Sequence, residues 1–210
     1  ILVNCSGSPI GLEPETQKCE AILQAWYPGQ QGGKAVAEVL FGDYNPAGKL
    51  PVTFYRNVSQ LPDFEDYNMT GRTYRYMQDV PLFPFGYGLS YTTFGYGKTV
   101  LDKNELTAGQ SLKLTVPVTN TGKRNGEEVV QVYLRKQGDA EGPIKTLRAF
   151  KRVSIPVGKT VNVEFDLKDK ELEWWDDQSN TVRVCPGNYD IMVGGSSKEE
   201  DLQRTTIAIK

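Results

Sequence analysis

The chain has 210 residues, with 24 Lys and Arg against 26 Asp and Glu, and a net charge of −2. That length accommodates one large domain or two small ones, each with its own core, and the charge lacks the basic surface that nucleic acid requires. No apolar run approaches the roughly 20 residues of a membrane span, and no segment has the charged start and apolar core of a signal peptide. Histidine is absent, which removes Ser-His-Asp and Cys-His catalysis, the HExxH zinc site and histidine general bases.

Ile1 to Asn4 reads as a strand, followed by Cys5 to Pro9 as a loop at its C-terminal end. Because open α/β sheets bind ligands beyond those ends, Ser6 and Ser8 are candidates for ligand contact. Turning the chain and capping are their more ordinary roles. Ile1-Leu2-Val3 has the pattern of the middle of a buried strand, and no initiator Met precedes it, so the chain is expected to be a piece of something longer. A short polar helix is expected from Glu15 to Glu20, with Glu13, Glu15 and Glu20 on a solvated face. Cys5, Cys19 and Cys185 make neither a disulfide framework nor a zinc spacing, so buried free thiols are expected. A Cys5–Cys19 bridge is the alternative in an oxidising compartment.

Ala21 to Trp26 is the next apolar strand, stopped by Pro28-Gly29. Gly32-Gly33 opens a helix whose Val36, Val39 and Leu40 share one face and are expected to be buried, while Lys34 and Glu38 stay more exposed. Gly42 sits where a left-handed cap belongs. Asn45-Pro46-Ala47-Gly48 suits a type I turn, and Lys49 to Tyr55 resumes an extended pattern. Strand, helix and strand make a βαβ unit, so this half is expected to be α/β. The glycines of 29–33 do not make a phosphate loop: Gly33-Lys34 is followed by Ala35, without the hydroxyl that binds Mg²⁺.

Arg56 to Phe94 is rich in Pro, Gly, Asp and aromatic residues and shows little periodicity. It is read as a packed connection joining the α/β layer to the next domain. Asp63, Asp66, Arg72 and Arg75 are expected to pair within it. Aromatic faces beside charged hydrogen-bonding groups also suit sugar rings, which makes Tyr67 and Arg72 further substrate candidates. Asn57-Val58-Ser59 and Asn68-Met69-Thr70 match glycosylation sequons.

From about Tyr96 the pattern alternates with period two. Leu112, Leu114, Val116 and Val118 alternate, as do Val130, Val132 and Leu134, then Val161, Val163, Phe165 and Leu167, then Tyr189, Ile191 and Val193. The turn signals Thr121-Gly122, Asn125-Gly126, Val157-Gly158 and Pro186-Gly187 separate them. About seven strands in roughly 110 residues point to an immunoglobulin-like antiparallel sandwich. Trp174-Trp175 is assigned to core and edge packing.

Two stretches carry a family resemblance. Trp26-Tyr27-Pro28-Gly29 with Gly32-Gly33, Gly42, Asn45-Pro46, Gly48 and Leu50-Pro51 resembles a signature of glycoside hydrolase family 3. Phe83-Pro84-Phe85-Gly86-Tyr87-Gly88-Leu89-Ser90-Tyr91-Thr92-Thr93-Phe94 is similar to a second one, in the expected order. The stretches 118–122, 128–133 and 186–189 are similar to that family's fibronectin type III-like domain. The resemblance implies the end of an α/β sandwich domain over residues 1–55, an ordered connecting segment over 56–95 and a fibronectin type III-like sandwich over 96–210. It implies an exo-acting retaining β-glucosidase or β-xylosidase as the whole protein, acting on β-linked oligosaccharides without a cofactor. An extracytoplasmic location is expected for it.

Retaining glycosidases use two carboxyl groups. In the family the nucleophile lies in an N-terminal barrel and the acid/base upstream of the Trp-x-Pro-Gly motif, so no residue here is assigned as catalytic. The chain's expected role is to brace the domain that carries the acid/base. A non-catalytic carbohydrate-binding or adhesive module is the alternative. An unrelated α/β hydrolase is disfavoured by the lack of histidine and of a G-x-S-x-G elbow.

Overall fold

β1 (Leu2–Asn4) and β2 (Ile22–Gln24) pair in parallel, Leu2 opposite Ile22, joined by α1 (Glu13–Lys18). This is the βαβ unit of the first half, one element earlier than the stretch from Trp26 to Tyr55 suggested. α1 starts at Glu13 rather than Glu15, because Pro14 falls in its first turn, where the missing N–H costs nothing. The structure, a computed structural model, describes all 210 residues.

α2 (Gly32–Phe41) spans the predicted helix and ends on Gly42 at φ 82°, a conformation glycine adopts without a Cβ penalty. Its apolar face is not buried as expected: Val36 and Val39 are half-buried and Leu40 is 38% exposed. A two-stranded sheet offers too little surface to cover a helix face. The chain from Asn45 to Gly48 forms no turn, and Lys49 to Tyr55 joins no sheet beyond a bridge between Phe54 and Phe83. Asn45 is instead used as a side-chain acceptor and donor, and Leu50 pairs its backbone with Gly86 and Tyr87. The connecting segment carries a 3-10 turn at Val58–Gln60 and one α-helical turn, α3 (Thr73–Tyr76).

The second half is the expected sandwich. β3 (Phe94–Tyr96) and β4 (Val100–Leu101) pair with β6 (Leu112–Asn120), whose other partner is β9 (Thr160–Leu167). The facing sheet runs in the order β5 (Glu105–Leu106), β13 (Gln203–Ile209), β12 (Gly187–Gly194), β7 (Gly126–Lys136), β8 (Thr146–Ile155). One helical turn, α4 (Asp169–Leu172), leads to a small hairpin of β10 (Trp174–Asp176) and β11 (Thr181–Arg183).

The period-two residues of β6, β7, β9 and β12 face inward into one cluster of 20 buried side chains. Trp174 joins that core while Trp175, its neighbour in the strand, points outward. Among the cysteines Cys185 is buried, Cys19 is half-buried and Cys5 is exposed, so the expectation of buried thiols holds for one of the three.

Candidate functional site: the joint between the two halves

β7 reads Gly126-Glu-Glu-Val-Val-Gln-Val-Tyr-Leu, and Glu128 and Gln131 break its apolar run. Both are buried, and both reach back to the first half. Lys49 Nζ lies 3.3 Å from Glu128 Oε1 and donates to Gly88 O at 3.1 Å. The Tyr96 hydroxyl donates to the same Glu128 oxygen at 2.9 Å. The Lys49 side chain keeps 14% of its exposure and that of Glu128 only 6%. Burial raises Glu128 above the usual carboxylate range and outweighs Lys49 and Tyr96, which pull it down. Burial, then the Glu128 charge, pushes the Tyr96 phenol well above its ordinary value.

Gln131 Nε2 donates to Gly86 O at 3.1 Å and to Gly195 O at 2.6 Å, while its Oε1 accepts from Tyr133 at 2.5 Å. A Cβ on Gly86 would stand 2.0 Å from that Oε1, and one on Gly88 would stand 2.1 Å from Gly48 O. In Phe85-Gly86-Tyr87-Gly88, glycine is required at 88 by close approach to the backbone of Gly48 and at 86 by a left-handed φ of 77°, and the chain there is wedged between β7 and residues 48–50.

Aromatic packing continues the joint on both sides. Trp26 meets Phe54 edge-on, Phe54 meets Phe83, and Phe83 stacks on Tyr87 at 5.7 Å. Tyr74 stacks on Phe85 at 4.2 Å and meets Tyr133 of β7 edge-on. Asn45 Oδ1 accepts from Ser90 Oγ and from Tyr91 N at 2.8 Å, and its Nδ2 donates to Asn125 O at 2.9 Å. The Tyr91 hydroxyl donates to Val39 O of α2 at 2.6 Å, and Arg152 of β8 donates to Tyr44 at 2.8 Å. The two motifs of the sequence thus meet in space, and β7 receives both.

Two cavities flank the joint. One, of about 430 Å³, is lined by Lys49, Glu128, Tyr96 and Asp201 among others. The other, of about 560 Å³, opens between the connecting segment and the sandwich. The Glu128 carboxylate is committed to Lys49 and Tyr96, an arrangement that locks two units together.

The sequence candidates lie elsewhere. Ser6 and Ser8 bond to each other in an exposed turn after β1, with the Ser6 hydroxyl donating to Ser8 O at 2.9 Å. Tyr67 is almost fully exposed. Arg72 is folded onto the carbonyls of Asp63, Asp66 and Asn68, the last two flanking Tyr67. The expected side-chain pairing in this segment is replaced by these backbone contacts, because the loop's carbonyls lack ladder partners. Backbone and side-chain donation from Asn68 holds Asp66 below the usual carboxylate range, with Arg72 assisting. Arg75 packs over the Tyr76 ring. The sequence marked Asn45 only as a turn and signature residue and gave Lys49, Glu128, Tyr96 and Gln131 no role in a site; its one signal for Glu128 and Gln131 was a pair of polar residues inside the apolar β7.

Comparison with known proteins places this geometry. Residues 1–91 match the model of the glycosyl hydrolase family 3 C-terminal domain, and residues 128–197 that of the fibronectin type III-like domain. The whole chain is 56% identical to a xylan 1,4-beta-xylosidase of Xylanibacter ruminicola, spanning 24% of it. It is 38% identical to a periplasmic beta-glucosidase of Salmonella typhimurium, over 94% of this chain and 27% of that protein. Among solved structures, a β-glucosidase from Erythrobacter marinus superposes with a TM-score of 0.85 at 41% identity, over 99% of this chain and 28% of that one. A beta-glucosidase from Listeria innocua, solved with isofagomine, superposes with a TM-score of 0.83 at 29% identity, over 99% and 30%. The chain spans about a quarter of the length of the curated relatives it matches.

Proposed function

The chain belongs to glycosyl hydrolase family 3, and from that premise we propose that it is the C-terminal portion of an exo-acting retaining β-glycosidase with β-xylosides as favoured substrate. The observation that carries the substrate class is the 56% identity, across the whole chain, to a xylan 1,4-beta-xylosidase, against 38% to the beta-glucosidase. Within the whole protein these residues brace rather than react. Hydrolysis needs a nucleophile on one side of the anomeric carbon and a proton donor at the leaving oxygen, and the Lys49–Glu128–Tyr96 joint offers a carboxylate already engaged. The divisions near residues 55 and 95 belong to this reading: the α/β element and the sandwich are two bodies, and the segment between them is the clamp.

The test is turnover of nitrophenyl β-xyloside and β-glucoside by the 210-residue chain, alone and mixed with the polypeptide that precedes it in the whole protein. The chain alone is expected to be inactive, and activity on mixing is expected to favour the xyloside. Turnover by the chain alone, absent when Asp63 and Asp66 are neutralised, would sink the bracing role. A preference for the glucoside would overturn the substrate class.

A further inference from the structure

We propose that the guanidinium groups of Arg75 and Arg148, brought together at the seam between α3 and the start of β8, form a binding site for a phosphate group. Two hydrogen bonds stitch the segments there: Ile144 N donates to Arg75 O at 2.7 Å and Leu147 N to the Tyr74 hydroxyl at 3.1 Å. Neither arginine pairs with a carboxylate, whereas Arg56, Arg152, Arg183 and Arg204 all do. Arg75 lies over the Tyr76 ring, and its guanidinium donates to nothing in the chain. Arg148 lies over the Trp174 ring and donates from Nη2 to Glu173 O, so Glu173 supplies a carbonyl there and not its carboxylate.

Two like charges without a counter-charge repel. Burial, then the Arg75 charge, pulls Arg148 below the usual guanidinium range, and Tyr74 and Glu173 offset only part of it. The seam is also short of acceptors. Four buried polar side-chain atoms of the chain lack a partner, and three of them lie here: Arg75 Nε, Arg148 Nε and Thr146 Oγ1. Buried polar groups are ordinarily satisfied, so this cluster of donors marks a missing acceptor. The enclosed Nε atoms are not themselves the contact. Arg75 Nη1 and Nη2 and Arg148 Nη1 also have no partner in the chain, and they remain accessible on two half-buried residues. An anion on these outer nitrogens neutralises both guanidiniums as wholes.

Guanidiniums bind oxyanions through parallel N–H donors. A phosphate group offers at least three acceptor oxygens and a charge of about −1.5 to −2, which matches two cations. A carboxylate leaves one of them unbalanced, and chloride offers no directed acceptors. The fold also presents Arg148 deliberately: Ala149 stands opposite Val132 and Leu147 opposite Tyr133, so Arg148 is the extra residue of a bulge, the device that re-aims a side chain. The inference rests on these side chains and is independent of the glycosidase reading.

The experiment is a titration of the 15N-labelled 210-residue chain with inorganic phosphate, methyl phosphate and acetate, at about pH 7.5, where phosphate carries most of its second charge. Sodium chloride holds the ionic strength constant. Inorganic phosphate should give saturable shifts of the Arg75 and Arg148 Nε–Hε resonances and of the amides of residues 144–148. Arg183, already paired with Asp176, should not move. Acetate should bind about tenfold more weakly. Arg75→Gln, which keeps much of the length and removes the charge, should weaken phosphate binding about tenfold. Should that variant melt early, Arg75→Lys serves in its place: it keeps the charge, loses the planar fork and should weaken binding about fivefold. The methyl phosphate arm separates the two sources of the group. Equal binding supports a phosphate ester as ligand, and its exclusion supports the free ion. No saturation at constant ionic strength would mean charge screening alone and would overturn the inference. So would shifts confined to other residues, acetate binding as tightly as phosphate, or unchanged affinity in the variant used.

Discussion

The two halves of the molecule are built on opposite terms. Residues 94–210 close around their own core of 20 buried side chains. Residues 1–93 bury only Leu12, Ala47, Phe54 and Met77 among their apolar side chains, while Phe41, Val58, Phe64 and Tyr67 stand almost bare. An antiparallel sandwich satisfies both its sheets internally. A two-stranded parallel sheet cannot, and parallel sheets are ordinarily covered on both faces. The first half therefore owes its order within this chain to the joint with β7 rather than to a core.

The sharpest test of that difference is a matched pair of core truncations. Leu112→Ala in β6, at a fully buried position, should cost about 2–5 kcal/mol. Val39→Ala in α2, half-buried, should cost less than about 1 kcal/mol in the isolated chain. Thermal melts compare them directly, and equal losses would contradict the contrast. By the same logic Val39→Asp, severe if the helix face were buried, should here cost far less than Leu112→Asp.

Next in size is the joint. Lys49→Ala leaves Glu128 buried without its cation. The loss should be about 2–3 kcal/mol, below the roughly 3–5 kcal/mol of a fully buried pair because Lys49 keeps some exposure. Proteolysis within residues 1–60 should rise before the sandwich melts. Simultaneous loss of both halves would mean that they unfold as one unit.

The same joint predicts a pH dependence. Glu128 is held above the usual carboxylate range, so the folded state binds its proton more readily than the unfolded chain. Its contribution is fully present below the ordinary carboxylate value and is lost as pH rises through the raised one. Denaturation midpoints should fall over that interval, and Glu128→Gln, which keeps an acceptor for Tyr96, should flatten the slope. An unchanged slope in the variant would refute the assignment.

The smallest effect concerns backbone strain. Thr73 is β-branched yet sits at φ 56°, held by its N–H donating to the Tyr55 hydroxyl at 2.8 Å. Thr73→Gly relieves that strain and should stabilise the connecting segment by less than about 1 kcal/mol. A loss of stability would show that the Thr73 hydroxyl, which accepts from Arg75 N at 3.3 Å, matters more.

Local pattern alone fixed several features. The alternation of Leu112 to Val118 made β6 an inward-facing strand whatever surrounded it, because period two places one set of side chains on one face. Gly42 ended α2, because a left-handed cap is a property of the residue. The order of the two glycine-rich motifs indicated the family. Tertiary structure alone decided the rest. The face of α2 is written as buried, but burial depends on a neighbouring layer, which no helical period encodes. Asn45 carries the pattern of a turn residue and serves instead as a link to Ser90, Tyr91 and Asn125. Lys49 and Glu128 lie far apart in the chain and show nothing of each other in sequence; only the wedging of Gly86 and Gly88 between residues 48–50 and β7 brings the charge and its partner within 3.3 Å.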